Sequence, residues 1–280
     1  MKKIIIATLL WLLTQLLYCQ QTRSPLSMLY TGTGAYSKNF TDAFSGAANQ
    51  AVLAEIKQAA AGVYGERRFM LKELSNYTAA LALPTSLGGF GLALHYFGGE
   101  NFNTSQLGLG YGKKLSDKID IGIQFNYNAI RLTGYGSSAA INFEAGTLLH
   151  LTDKLHIGIH VYNPLSTRFG KAASEKLDAV YSTGIGYELS DKVFVNAAVH
   201  KQEDEPVNIH TALQYSFANH FFIKLGTGSA NAYYFFGLGI QWKTVRVDAV
   251  STWQAPLGFT PAIMLLFNFH EDKQSAQIEE

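Results

Sequence analysis

The sequence predicts an all-β protein: a 14-stranded antiparallel transmembrane β-barrel with a short N-terminal helical plug. Two observations carry this expectation. Between residues 105 and 161 apolar side chains recur at every second position. Ile119, Ile121, Ile123, Phe125 and Tyr127 alternate with Asp120, Gly122, Gln124 and Asn126. Period two makes a ribbon with one apolar face and one polar or bare face. The second observation is rhythm. Most such runs hold about nine to eleven residues, the length that crosses a bilayer at a tilt, and the connections between them alternate short and long.

In chain order, Lys2 and Lys3 precede an apolar run from Ile4 to Leu17, and Tyr18-Cys19-Gln20 offers a cleavage point. This reads as an export segment, so residues 1–19 are set apart from the fold. Cys19 is the sole cysteine, preceded by Tyr18 where a lipoprotein motif has a small residue, and no disulfide framework is expected. Residues 20–57 are not hairpin-like. Phe44, Ala47, Ala48, Ala51, Val52 and Ile56 form an apolar stripe that predicts one helix over 41–57, capped by Thr41 or Asp42. Ahead of a sheet, such a helix plugs a barrel or lies on a membrane surface; the plug is the favoured expectation.

The barrel is expected over 58–270, followed by a polar tail, 271–280. Its strands are predicted at 61–69, 76–84, 89–97, 104–115, 119–133, 139–152 and 155–163. The second half follows at 176–189, 193–201, 207–217, 221–227, 232–243, 245–254 and 262–269. Turns at 116–118, 153–154, 190–192, 219–220 and 243–244 are short. Connections at 98–103, 134–138, 164–175, 202–206 and 255–261 are mostly longer. An even strand number puts both ends of the barrel on the short-turn side.

The faces decide between a membrane barrel and a soluble sandwich. Leu107, Leu109, Tyr111, Ile157, Ile159, Phe236, Leu238, Ile240, Ile263 and Phe267 share one phase, without a charge among them. Gln106, Gly108, Gly110, Glu144, Lys224, Arg246 and Asp248 share the other. A sandwich's solvent face is rarely so rich in glycine, and its edges need protection. In lipid an open edge is intolerable, so closure follows. Composition agrees: charged residues are 15%, against roughly a quarter in soluble domains. A net charge of +1 excludes nucleic acid as a partner, because phosphate binding needs a basic surface. A barrel of this size leaves more interior than wall side chains fill, and residues 20–57 are the spare material.

The segment Ser45-Gly46-Ala47-Ala48-Asn49-Gln50-Ala51-Val52-Leu53-Ala54 resembles the N-P-A-x-L-A signature of FadL-type outer-membrane proteins. Asn49, Gln50, Ala51, Leu53 and Ala54 fall on the motif, and Gln50 stands where the family usually has Pro. The superfamily includes long-chain fatty-acid transporters and the PorV/PorQ-type barrels of the type IX secretion system. Gly62-Val63-Tyr64-Gly65-Glu66-Arg67-Arg68-Phe69 is similar to the PorV/PorQ branch. The resemblance implies a 14-stranded barrel with an N-terminal plug, in the outer membrane of a Gram-negative bacterium and surrounded by its lipid.

Candidate functional residues lie on the inward phase. Phe222, Tyr233, Phe235, Met264 and Leu266 would supply an apolar lumen lining, or pack the plug. His156, His160, Lys224, Arg246 and Asp248 would supply polar lumen groups. His156 and His160 are about 13 Å apart on one extended strand, too far to share a metal; ligands from different strands can still converge. No cofactor or resident metal is expected. Gly-x-Gly pairs such as Gly108-Leu109-Gly110 lie mid-strand without a following helix, so they are not nucleotide loops. No G-x-S-x-G, H-E-x-x-H or cysteine nucleophile is present, which makes an outer-membrane enzyme the weakest reading. Two functions remain. In the PorV/PorQ-like reading, rim and loops bind partner proteins in secretion or surface assembly. In the FadL-type alternative the barrel is an uptake channel for hydrophobic small molecules.

Overall fold

The computed structural model describes residues 30, 40–170, 176–218, 220–230, 232–255 and 257–269. The export segment, nearly all of 20–39, residues 171–175 and the tail lie outside these. The strands are β1 (Ala60–Arg67), β2 (Ser75–Thr85), β3 (Gly88–Gly98), β4 (Phe102–Ser116), β5 (Ile119–Leu132), β6 (Gly136–His150) and β7 (Leu155–Tyr162). Then come β8 (Val180–Ser190), β9 (Val193–Gln202), β10 (Asn208–Phe217), β11 (Phe221–Gly228), β12 (Tyr233–Trp242), β13 (Val245–Gln254) and β14 (Gly258–Asn268). Each strand pairs antiparallel with the next, and β14 returns to β1, so the sheet closes into a barrel without an edge.

The two faces are inverted relative to a soluble protein. Leu109, Phe125 and Ile263 are 60, 58 and 61% exposed, while Asp120, Asn126, Glu144 and Asp248 are at most 1% exposed. Apolar side chains therefore cover the outside and polar ones are enclosed. Water would reject such an arrangement; hydrocarbon suits it, since the strand ladders satisfy most backbone groups of the wall within the sheet. Aromatic residues sit toward both strand ends. Tyr77, Tyr96 and Tyr181 are exposed near the long-loop end, and Tyr187, Phe221 and Trp242 near the short-turn end. These are two girdles at the depths where amphipathic rings settle.

Strand boundaries differ from expectation where backbone chemistry intervenes. β1 stops at Arg67 because Phe69 and Met70 turn into the left-handed region (φ 52° and 63°), and the Phe69 N–H donates to Thr260 Oγ1 instead. β14 starts at Gly258, so it includes Pro261. The ladder to β1 begins only at Ala262, and a missing N–H at Pro261 breaks no rung on that side. Pro84 lies likewise beyond Ala82, the last residue of β2 paired with β1. β8 begins at Val180 rather than at 176, where only an isolated bridge joins Lys176 to Arg168.

The expected helix over 41–57 is not continuous. A single turn, α1 (Ser45–Ala48), ends at Asn49, whose backbone is extended (φ −154°, ψ 114°). A 3-10 segment, Gln50–Glu55, follows. The break has a local cause. The Asn49 side chain accepts from the Ala51 N–H, starting a new turn, and its amide donates to the Thr147 and Ile159 carbonyls of the wall. An uninterrupted helix would turn this amide away from both.

Candidate functional site in the plugged lumen

Residues 43–55 are buried or half-buried inside the barrel toward the short-turn end, seated on inward glycines. A Cβ at Gly89 would overlap the Leu53 carbonyl, one at Gly122 the Gln50 carbonyl, and one at Gly146 the Asn49 side chain. At Gly112 it would come within 2.7 Å of the Ala54 nitrogen, and at Gly91 and Gly110 within 3.0 Å of the Leu53 side chain. These six glycines come from strands β3 to β6. They form a bare strip along which plug backbone meets wall backbone. The mid-strand glycines are there for close approach, and a larger residue at any of them lifts the plug off the wall.

Opposite the strip, apolar contacts hold the segment. Phe44 is fully buried, and a Cβ at Gly62 would meet both its ring and the Leu266 side chain. Tyr30 packs on Phe44 at 5.6 Å between ring centroids and donates to Asp42 at 2.7 Å. Burial first, and the Asp42 carboxylate second, push the Tyr30 phenol above its ordinary pKa, so it remains a donor. Met264, Leu266, Tyr233 and Phe235 belong to the same buried cluster as Tyr30, Ala43, Phe44 and Ala47. Of the predicted apolar lining, these four are therefore engaged in packing around the plug. Phe222 has another neighbour: the Arg246 guanidinium lies over its ring at 4.1 Å.

Two polar hubs complete the interior. Glu144 accepts from Gln124 (2.9 Å), Asn126 (2.7 Å) and the plug's Gln50 (3.0 Å), with His160 Nε2 at 2.9 Å. Gln50, where the resembling signature has Pro, thus gives the plug a side-chain bond to the wall. In the second hub Asp248 bonds Arg246 through two nitrogens (2.8 and 2.7 Å) and Lys224 at 3.1 Å. Lys224 also faces the Tyr30 ring at 5.8 Å. His156 is elsewhere, against His150 (3.0 Å between Nδ1 atoms). The predicted polar residues thus fall into three separate clusters rather than one site.

The long-loop half of the interior is lined by Tyr64, Glu66, Asn76, Thr78, His95, Gln106, Asn128, Asn142, Tyr162, His200 and His210, largely bonded to one another. Tyr64 donates to Glu66 (2.6 Å), Asn128 to Asn142 (2.8 Å) and Tyr233 pairs with His210. One part of the wall is built differently. β6 pairs with β5 from Gly136 to Leu149, but with β7 only from Glu144 to His150. From Gly136 to Phe143 it has no strand on that side. The following loop covers the place: the Asn163 N–H donates to Phe143 O (3.0 Å) and Gly170 N–H to Ala139 O (3.2 Å). Phe169, a residue of that loop, is buried. Sequence reading missed this patch because strand length alone does not reveal pairing length. The left-handed residues Asn163 and Ser166 (φ 49° and 50°) mark it afterwards.

The chain aligns with a FadL homologue of Pseudomonas aeruginosa at TM-score 0.61 and 11% identity, covering 85% of this chain and 96% of that one. The fold is FadL-like. It is similar also to the Ralstonia pickettii toluene transporter TbuX (TM-score 0.65, 11% identity, 91% and 100% covered). The Pseudomonas putida toluene transporter TodX aligns at TM-score 0.61 and 11% identity, with 87% and 100% covered. No protein-family model and no curated protein matches the chain. At these identities the FadL-like likeness is one of architecture.

Proposed function

We propose that the protein is an outer-membrane channel of a Gram-negative bacterium that passes small apolar molecules. This sets the hydrophobic-channel alternative above the partner-binding reading. The architecture shared with toluene transporters supports it, and the observation that carries it is the patched wall. Among the described residues, the loop segment 163–170, and no strand of β7, borders β6 between the long-loop half of the lumen and the lipid. The short-turn end holds a bonded, close-packed plug. An apolar solute entering from the loop side gains more by moving sideways into hydrocarbon than by crossing the polar floor around Glu144. Outward-facing Ile141, 68% exposed, stands at the patch on the lipid side.

The test is uptake of radiolabelled toluene by cells carrying the protein in an outer membrane that otherwise admits it slowly. Uptake faster than in cells with an empty vector is expected, and faster still with Phe169→Ala, which thins the patch. Uptake equal to the control for both proteins contradicts the proposal.

The second reading, partner binding in secretion or surface assembly, is favoured by the loop-side rim. Met70, Tyr135 and Leu165 are 64, 88 and 75% exposed there, beyond the strands that face lipid. Its mark would be a stoichiometric complex in the membrane extract that dissociates when Tyr135 and Leu165 are both replaced by Ser.

A further inference from the structure

At the short-turn end, three groups far apart in sequence converge where the plug leaves the wall. Glu55 ends the 3-10 segment, Asp120 is the second residue of β5, and His150 is the last of β6. His150 Nε2 lies 2.7 Å from Asp120 Oδ2 and 3.6 Å from Glu55 Oε1. One ligand atom from each lies within 4.8 Å of the others. The side chains of Asp120 and His150 are 0 and 2% exposed and that of Glu55 is 10%. Among the described residues, Glu55 Oε1 is buried without a hydrogen-bond donor, with Lys114 Nζ at 3.8 Å.

We propose that Glu55, Asp120 and His150 form a binding site for a divalent transition ion, with Zn²⁺ as the matching probe, that latches the plug to the barrel wall. One imidazole and two carboxylates are a donor set for such an ion, which completes a tetrahedron with water. Ligand atoms around it stand about 3.3–3.5 Å apart. The Glu55–His150 spacing of 3.6 Å is close to this, Asp120 at 2.7 Å must withdraw from His150 by less than about 1 Å, and Asp120 and Glu55 lie within 4.8 Å of each other. Two carboxylates and one lysine leave a charge that a divalent ion reverses rather than deepens.

The second layer points the same way. A metal on His150 Nε2 puts the proton on Nδ1, which then donates to His156 Nδ1 at 3.0 Å. His156 must then carry its own proton on Nε2, which faces Glu188 at 3.6 Å. This is a carboxylate-histidine relay of the kind that orients metal-bound imidazoles. The opposite tautomer, with His150 Nε2–H donating to Asp120, turns the buried His156 Nε2 lone pair toward a carboxylate. The competing arrangement is an imidazolium at His150 bonded to both neighbours without metal. The latch does not depend on what passes through the lumen.

The test uses the full chain, purified in detergent, stripped with EDTA and titrated with ZnCl₂ by calorimetry. One ion per chain is expected. His150→Gln should abolish binding, and Glu55→Gln should weaken it by about tenfold or more, while His220→Gln, on an exposed turn, leaves it intact. All variants are checked for heat-modifiable migration, so loss of fold is not mistaken for loss of site. Bound Zn²⁺ should slow proteolysis within 40–57 in the parent but not in Glu55→Gln. Three results overturn the proposal: no binding at micromolar Zn²⁺, binding indifferent to Glu55→Gln, or ¹⁵N shifts of a His150 imidazolium that Zn²⁺ leaves unchanged.

Discussion

Gly122 shows how closely plug and wall meet, since a single methyl there would overlap the Gln50 backbone. Gly122→Leu should therefore displace the plug and leave the barrel standing. Overpacking costs about 1–3 kcal/mol if the plug stays, and moving it away relieves the clash. The expected outcome is unchanged heat-modifiable migration with faster proteolysis in 40–57; unchanged protection would contradict the contact. Asp248 is the other sensitive residue. Asp248→Ala leaves Lys224 and Arg246 enclosed without their shared carboxylate, and removing one partner of a buried ion pair costs about 3–5 kcal/mol. Urea unfolding in detergent should show a loss of that order, whereas an exposed-turn change such as Asp117→Ala should show little. Residue by residue, the inward phase of His156, His160, Lys224, Arg246 and Asp248 was legible from alternation. Their partners were not. Glu144 meets Gln50 across 94 positions of sequence, and that contact exists only once register and plug position are fixed. For the same reason Glu55 did not stand out beside His150.

At the scale of elements, strands were the easy part. Alternation placed β5 and β13 to within a residue, because the apolar phase starts and stops with the lipid-facing ladder. The helix was the hard part. An apolar stripe at helical spacing is indifferent to a break at one residue, and Asn49 breaks it by offering the backbone another bond. Asn49→Ala removes that cap and both wall bonds. The loss expected is about 0.5–2 kcal/mol, felt in the plug alone. Amide exchange should accelerate from Gln50 to Glu55 and stay unchanged in β3 to β6; equal acceleration in wall and plug would show that the two are one cooperative unit. The patch beside β6 was illegible for a further reason. Both β6 and β7 have good strand patterns, and the difference lies in where β7 departs, which the left-handed Asn163 sets.

For the whole molecule, closure of 14 strands and the placement of apolar side chains are one physical fact. The sheet closes on itself, polar groups are collected inside, and hydrocarbon takes the outside. The plug then occupies the short-turn half of the lumen, and beside residues 136–143 of β6 a loop stands where a strand would otherwise pair. This orientation of faces is presupposed by passage of an apolar solute through the wall. It is tested most directly by single-cysteine scanning along β5 in lipid vesicles, with Cys19 replaced, using a lipid-phase spin probe and a water-phase thiol reagent. Ile121, Ile123, Phe125 and Tyr127 positions should report hydrocarbon, and Gly122, Gln124 and Asn126 positions should not. Equal exposure of both sets to the lipid-phase probe, or protection of the isoleucine set from it, would contradict the barrel described here.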